Sequence, residues 1–484
     1  MLTNAKTIAI IGAGASGTLT AYHLISQAER NRLPLRVLLI DPRPQLGLGL
    51  AYSTPSLRHL LNVPTAKISA IPSDPDHFLR WVRAHYDPTV QPFSFMPRAI
   101  FGRYLRSLHA EVASRIEHIP ATATSLVRRA DNTLLITLSD EAARSGNTTV
   151  TVDHVVLATG NFDPQPLPNI SPAALERGLY RNNAWAHDTF DDLDPAAPIA
   201  LIGTGLTAVD VVLRLRELGH HGPITCVSRH GVFSQRHIET APTPAPVIPR
   251  DTPPTALAYL RALRNAIGAG IPWRAAVDSL RSITNQLWLA LPLDEQSRFL
   301  RHLNRRWLVV RHRMAPAIAD VIEAELAAGT LRVIEGSFAG LTPDTGNNAR
   351  INVRTAEGLA AVTATRVINC TGPSASYRRV DSPILHSLFA QGLATPGPLG
   401  AAINTSNDGA LIDTEGHAAT NLFTLGPARL GNLFESIAMP EIREQANDLA
   451  RLLLARIASN TAATSFPAAF IDTAAEAASA TLSR

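Results

Sequence analysis

Short apolar runs that end in glycine, each followed by a longer stretch with helical spacing, set the rhythm of this chain. Thr7 to Ile11 (TIAII) is apolar after its first residue and rich in β-branched side chains, the composition of a parallel strand buried on both faces. It runs into Gly12-Ala13-Gly14-Ala15-Ser16-Gly17, and an Ala/Leu-rich helical stretch continues to about Gln27. Val37 to Ile40 forms a second apolar strand, closed by Asp41. This order predicts a dinucleotide-binding crossover. The first glycine permits a tight turn, the second lets a pyrophosphate approach the backbone, and the third lets the helix lie close on the strand. The helix start turns its free N–H groups toward the phosphates. Asp41, near the ~20 residues expected beyond the last glycine, is placed to accept hydrogen bonds from an adenosine ribose.

The pattern returns near the middle of the chain. Ile199 to Ile202 is a strand, Gly203-Thr204-Gly205-Leu206-Thr207-Ala208 the turn, and a helix follows through Leu218. The next strand, Ile224 to Val227, ends in Ser228-Arg229 rather than an acid. An acid there suits a ribose 2′-hydroxyl and an arginine a 2′-phosphate, so the second site is expected to prefer NADP(H) to NAD(H). Between the two units, Pro75 to His85 and Arg98 to Ile116 have helical spacing, the first with Phe78, Leu79 and Val82 inward. Leu134 to Leu138 and Thr148 to Thr151 predict a hairpin, and Val155 to Leu157 a buried strand ending Ala158-Thr159-Gly160. Pro164, Pro166, Pro168 and Pro172 mark a linker.

Beyond the second unit, a proline-rich loop spans Pro242 to Pro254, and Thr255 to Leu326 is mostly helical. Arg301 to Arg313 (RHLNRRWLVVRHR) fits a solvated helix face that buttresses a cofactor phosphate or the other domain. Strands are expected at Leu331 to Ile334, Ile351 to Val353, Val367 to Asn369 and Leu422 to Gly426, and a helix at Glu441 to Ile457. The fold class is therefore α/β, with two Rossmann-like domains, one inserted in the other, plus a helical segment. The expected bounds are 1–165 for the first part of the outer domain, 195–360 for the inserted one, 361–455 for the return and 456–484 for a peripheral tail.

Composition narrows the function. The 484 residues exceed the ~250–300 at which single cores stop growing. A net charge of +4 gives no case for nucleic acid, and no uncharged stretch would span a bilayer. Cys226 and Cys370 are too few and too far apart for a disulfide framework or a zinc site, so no metal is expected, and without a CxxC a dithiol reductase is disfavoured. A reducing cytoplasm fits this usage, and homodimerisation is left open.

Further motifs are Gly47-Leu48-Gly49-Leu50-Ala51-Tyr52-Ser53, Leu61-Asn62-Val63-Pro64, Pro97-Arg98 with Gly102-Arg103-Tyr104-Leu105, Arg311-His312-Arg313-Met314-Ala315-Pro316, and Glu435 with Pro440-Glu441-Ile442-Arg443. With the two glycine loops, these resemble the bacterial FAD/NAD(P)-binding flavoproteins of the two-dinucleotide-binding type, over about residues 7 to 450. Some members are similar to flavin monooxygenases that N-hydroxylate amino acids. The resemblance implies FAD at Gly12, Ala13, Gly14, Ala15, Ser16, Gly17 and Asp41, with Asn62, Thr159, Gly160 and Gly426 nearby, and NADPH at Gly203, Gly205, Leu206, Thr207, Ser228 and Arg229. The chain departs from the monooxygenases in lacking a Phe-x-Gly-x-x-x-His stretch, and it has Leu425-Gly426-Pro427 where many relatives have Gly-Asp.

The resemblance implies an FAD- and NADPH-dependent monooxygenase using O₂ to N-hydroxylate a small polar amine or amino acid through a C4a-hydroperoxyflavin. The alternatives are an NAD(P)H-dependent flavin oxidoreductase that passes electrons to a quinone or protein, and a non-catalytic flavin-binding redox sensor. Arg58, Lys67, Arg98 and Arg103 are candidate partners for a substrate carboxylate. His59, Asn62, Asn404 and Asn432 are candidates to stand beside the flavin or substrate.

Overall fold

The structure is a computed structural model that describes residues 5–139 and 148–464. Its strands are β1 (Lys6–Ile11), β2 (Leu35–Ile40), β3 (Ile116–Ile119), β4 (Ala123–Arg128), β5 (Leu134–Leu138), β6 (Thr149–Val152), β7 (His154–Leu157), β8 (Tyr180–Arg181), β9 (Ile199–Ile202), β10 (Ile224–Ser228), β11 (Leu331–Glu335), β12 (Ser337–Pro343), β13 (Ala349–Thr355), β14 (Gly358–Ala364), β15 (Arg366–Asn369), β16 (Ala410–Ile412) and β17 (Ala418–Thr424).

The first domain is built on a six-stranded sheet in the order β16-β17-β7-β1-β2-β3, parallel except for the edge strand β16. Alternation along β1 divides the core in two. Ile8 and Ile10 face the helices Ala15–Arg30, Arg98–Val112 and Met439–Thr464, whereas Ala9 and Ile11 face a layer that includes the antiparallel sheet β4-β5-β6.

The second domain repeats this plan in smaller form. Its parallel sheet runs β11-β10-β9-β15-β8, with helices Leu206–Glu217 and Pro316–Ala327 on one face and the antiparallel sheet β12-β13-β14 on the other. Between β10 and β11 the chain makes five further helices, from Ala256–Gly268 to Asn304–Arg311, before Pro316–Ala327 returns to the sheet.

Three boundaries differ from the sequence expectation. β15 pairs with β9, so the second sheet extends from Tyr180 to Asn369, beyond the 195–360 expected, and the return begins after β15 rather than at 361. The helix from Arg98 stops at Val112, and Ile116–Ile119 forms an edge strand beside β2. That strand, IEHI, is short and half polar, which hides it from a reading based on apolar periodicity. The last helix reaches Thr464, so the tail expected from 456 begins as helix, and 465–484 lie outside the described residues.

Candidate functional site

β1 delivers the first glycine loop to the carboxyl edge of its sheet. Gly12 has φ +102°, and a Cβ there would stand 2.4 Å from the Ala158 carbonyl oxygen. The turn is therefore closed to any side chain. A Cβ at Gly17 would fall 1.8 Å from the Gly12 oxygen, so the helix lies directly on the turn. The helix Ala15–Arg30 starts with no side-chain cap and no acid in its first turn. Its first N–H groups and positive end are thus offered outward, as a phosphate requires. At the neighbouring strand end the Thr159 hydroxyl is buried without a partner, and Gly426 arrives from the return segment, where a Cβ would stand 2.8 Å from Ser16 Oγ.

Asp41 is more committed than the sequence suggests. Its buried carboxylate accepts from the Ala13 N–H at 2.7 Å, from the Arg43 N–H and Nε at 2.9 Å each, and from Arg43 Nη2 at 2.6 Å. Burial pushes this carboxyl up, but Arg43 and the two backbone N–H groups outweigh it and hold it below the usual carboxylate range. A ribose hydroxyl reaching Asp41 would meet the half-exposed Arg43 guanidinium first.

The second loop repeats the geometry. Gly203 has φ +122°, and a Cβ there would stand 2.6 Å from the Cys370 carbonyl oxygen, the counterpart of Ala158. The helix Leu206–Glu217 starts at Gly205 with no side-chain cap and no acid in its first turn, and the space beside Gly205 is open. Arg229 lies exposed just past β10. Beside it comes a residue that strand-and-turn reasoning missed. Arg305, from helix Asn304–Arg311, donates to Thr204 Oγ1 at 2.8 Å and to the Val232 carbonyl at 2.6 Å. Burial and the nearby Arg229 charge push the Arg305 guanidinium down from its ordinary value. Two guanidiniums thus converge on the strand end, and the arginine-rich stretch at 301–313 was the only sequence signal for the second.

Between the domains lies a cleft of about 410 Å³. Leu61 and Asn62 line it from the first domain, Leu206 and Asp210 from the second, and Leu308 and His312 from the helical segment. Arg98 projects into it, but its guanidinium is paired with the Asp210 carboxylate across the domain boundary and lies over the Trp185 ring at 5.8 Å. Burial, with help from Arg311 and Arg281, pushes the His312 imidazole down to about 4, so it is neutral at pH 7. Asp163, exposed at the rim, takes one N–H from Asn183 at 2.9 Å on Oδ1.

The remaining sequence candidates fall elsewhere. His59 is buried and satisfied: Nε2–H donates to the Asp210 carbonyl at 3.0 Å, and Nδ1 accepts from Thr54 Oγ1 at 2.7 Å. It ties the domains together and offers no free atom. Asn432 Nδ2 donates to Asn404 Oδ1 at 3.2 Å and Asn432 Oδ1 accepts from the Thr405 N–H at 3.1 Å, so these two asparagines staple two loops. Arg58, Lys67 and Arg103 are exposed and do not line the cleft. Scattered motif residues do come together. Arg311 makes a bidentate pair with Glu435 at 2.8 Å, Arg281 holds Glu441 at 3.0 Å, and a Cβ at Gly102 would stand 2.6 Å from the Tyr52 carbonyl.

Both cysteines are buried in the second sheet and its end. Burial pushes Cys226 up to about 12 and raises Cys370 as well. No cluster that could hold a metal occurs among the described residues, and no helix among them is long and apolar enough to cross a membrane.

Residues 9–162 match the profile of a family described as FAD-NAD(P)-binding. An uncharacterised protein of Escherichia coli (strain K12), YdhS, is 23% identical over 248 residues, spanning 47% of this chain and 42% of that one. The chain thus spans less than half of that relative's length. Among solved structures, the ornithine N-hydroxylase of Kutzneria sp. 744, with reduced FAD, NADP⁺ and L-ornithine, superposes with a TM-score of 0.63 at 13% identity, over 94% of this chain and 99% of that one. The L-lysine 6-monooxygenase of Pseudomonas syringae gives 0.63 at 14% identity over the same shares. The bacillithiol disulfide reductase of Bacillus cereus gives 0.54 at 14%, over 93% and 99%. The chain therefore has the two-dinucleotide-binding flavoprotein fold.

Proposed function

We propose that this protein is an FAD- and NADPH-dependent monooxygenase that N-hydroxylates a small amine. One observation carries the reading: each parallel sheet ends in a glycine loop and an uncapped helix start, and the second of these, at Leu206 and Thr207, lines an interdomain cleft walled by both domains. FAD, when bound, supplies electron acceptance from NADPH and the activation of O₂.

The chain's part is to bind, orient and keep the cleft dry. The loop at Gly12–Gly17 and the orphaned Thr159 hydroxyl suit FAD; the loop at Gly203–Gly205, with Arg229 and Arg305, suits the phosphates of NADPH. Leu61, Leu206, Leu308 and Met314 give the cleft an apolar lining, which excludes water from reactive oxygen chemistry. Its bound guanidinium, Arg98, is already neutralised by Asp210, and His312 is uncharged, so no free cation among the lining residues awaits a substrate carboxylate. The exposed Asp163 carboxylate at the rim has no ion-pair partner among the described residues. The arrangement therefore favours an amine over an amino acid, a narrower expectation than the sequence alone supports.

The buried thiols weigh against the disulfide-reductase reading that part of the fold's company suggests, because a thiol held protonated in a core cannot attack a disulfide. The test is to mix the yellow protein with NADPH under air, with short diamines, with amino acids and with neither. Amine-stimulated NADPH oxidation matched by oxygen uptake and hydroxylamine formation supports the proposal. Turnover only with quinones or dyes would replace it with the oxidoreductase reading, and a flavin that NADPH fails to bleach would leave a binding module.

A further inference from the structure

The helical segment encloses a second cavity, of about 320 Å³, that the reading above does not use. Helix Ala256–Gly268 forms one side and buries only Ala256. Its apolar face (Tyr259, Leu260, Leu263, Ile267) is half-buried against the cavity instead of against a core. The opposite wall is aromatic: Trp288 and Phe299 pack on Phe434 at centroid distances of 5.0 and 5.3 Å. Trp307 also lines the space, and its indole Nε1–H is buried with no acceptor. The apolar lining of this space lacks partner atoms on one side.

The only charges on the wall are the guanidiniums of Arg264 and Arg306. Both are exposed, neither sits in an ion pair among the described residues, and no carboxylate lines the cavity. An apolar body ending in an anion answers both features, whereas an apolar cation answers only one.

We propose that this cavity binds a small amphiphilic anion, its aliphatic or aromatic part among Leu263, Trp288 and Trp307 and its carboxylate at Arg264 and Arg306. Helix Asn304–Arg311 is the wall shared with the catalytic cleft. Trp307 and Val310 face the cavity, Leu308 faces the cleft, and Arg305 reaches the second glycine loop. The site is thus separate from the cofactor cleft but touches the same helix.

The experiment is a titration of the flavin-loaded protein with decanoate, decanol and decyltrimethylammonium, read by tryptophan fluorescence. A saturable change is expected with decanoate, at least about tenfold tighter than with the cation. Leu263→Trp, which fills the space, should abolish it while flavin absorbance and Tm are retained. The surface double variant Arg264→Glu/Arg306→Glu, which leaves the apolar wall intact, should weaken decanoate by at least about tenfold and spare decanol. The proposal is overturned by any of three results: no saturable response, equal affinity for anion and cation, or a response unchanged in the folded Leu263→Trp protein. Sedimentation revealing a dimer that Leu263→Trp disperses would also overturn it, because a second copy would then be the occupant.

Discussion

At the scale of single residues, the two crevices differ in what ends the second strand of each. In the first, Asp41 is already satisfied by Ala13 and Arg43, so it reads as the brace that holds the glycine loop in shape. In the second, the Arg229 and Arg305 guanidiniums lie near each other at the strand end, where Glu335 stands beside Gly231. Arg229→Ala should raise KM for NADPH by about tenfold or more, the weight of one charge-assisted hydrogen bond, and leave KM for NADH nearly unchanged. Equal effects on the two nucleotides would refute the assignment. Three histidines set a pH limit on stability. His23, His237 and His312 are each pushed down to about 4, in every case first by burial. In the unfolded chain they titrate near the ordinary 6.5. Between those values the unfolded state binds more protons, so stability is complete above about pH 6.5 and falls as the pH drops toward about 4. For the buried His23 the loss is roughly 3 kcal/mol. Tm measured from pH 7.5 to 4.5 should fall steadily, and His23→Gln should flatten the slope.

At the scale of elements, the helix starts matter more than the strands. Helix Ala256–Gly268 is capped by Thr255 Oγ1, and helix Leu293–His302 has Asp294 and Glu295 in its first turn. The helices that follow the two glycine loops have neither device, a trait they share with Arg98–Val112 and Pro316–Ala327. Gly205 has room for a side chain and an extended backbone that suits an N-cap. Gly205→Asp should therefore keep or slightly raise Tm, since Asp outranks Gly at that position by a few tenths of a kcal/mol. The same carboxylate should repel the phosphates and lower NADPH affinity by at least about tenfold, while flavin content is unchanged. Loss of stability together with affinity would mean that the open helix start is not a phosphate site. Helix Asn304–Arg311 is the other pivotal element, since Arg305 serves the second crevice and Arg311 pairs with Glu435 on the return segment. Both partners of that pair are nearly buried, so Glu435→Gln, which strands the guanidinium, should cost about 3–5 kcal/mol by denaturant unfolding. Arg311→Met with Glu435→Leu should recover most of it.

At the scale of the molecule, the second domain is an insertion whose sheet copies the first: a parallel sheet, helices on one face, three antiparallel strands on the other. The repeated plan brings both glycine loops to strand carboxyl ends. Arg98–Asp210, the His59 bond to the Asp210 carbonyl, Arg311–Glu435 and Arg281–Glu441 then clamp the domains and the helical segment around the shared cleft. The glycine loops, their strands and their helices were legible in the sequence because a turn, a helix start and an apolar strand are dictated by residues a few positions apart. The place of Arg305 and the pairing of Arg98 with Asp210 were not legible, because each depends on a partner about a hundred residues away. The edge strand Ile116–Ile119 escaped for the opposite reason, being too short and too polar to show a period.

By itself, the amino-acid order determined that two glycine-rich turns join strand to helix and that arginine, not an acid, follows the second. It also determined that no CxxC is present, because these properties reside in residue type and local spacing. Only the tertiary structure decided which charges remain free once the domains close. Arg98 is spent on Asp210, Arg305 is brought beside Arg229, and His312 is stripped of its proton by burial. The reason is physical. Coulomb attraction and desolvation depend on distance and dielectric, and those are set by contacts between segments far apart in the chain.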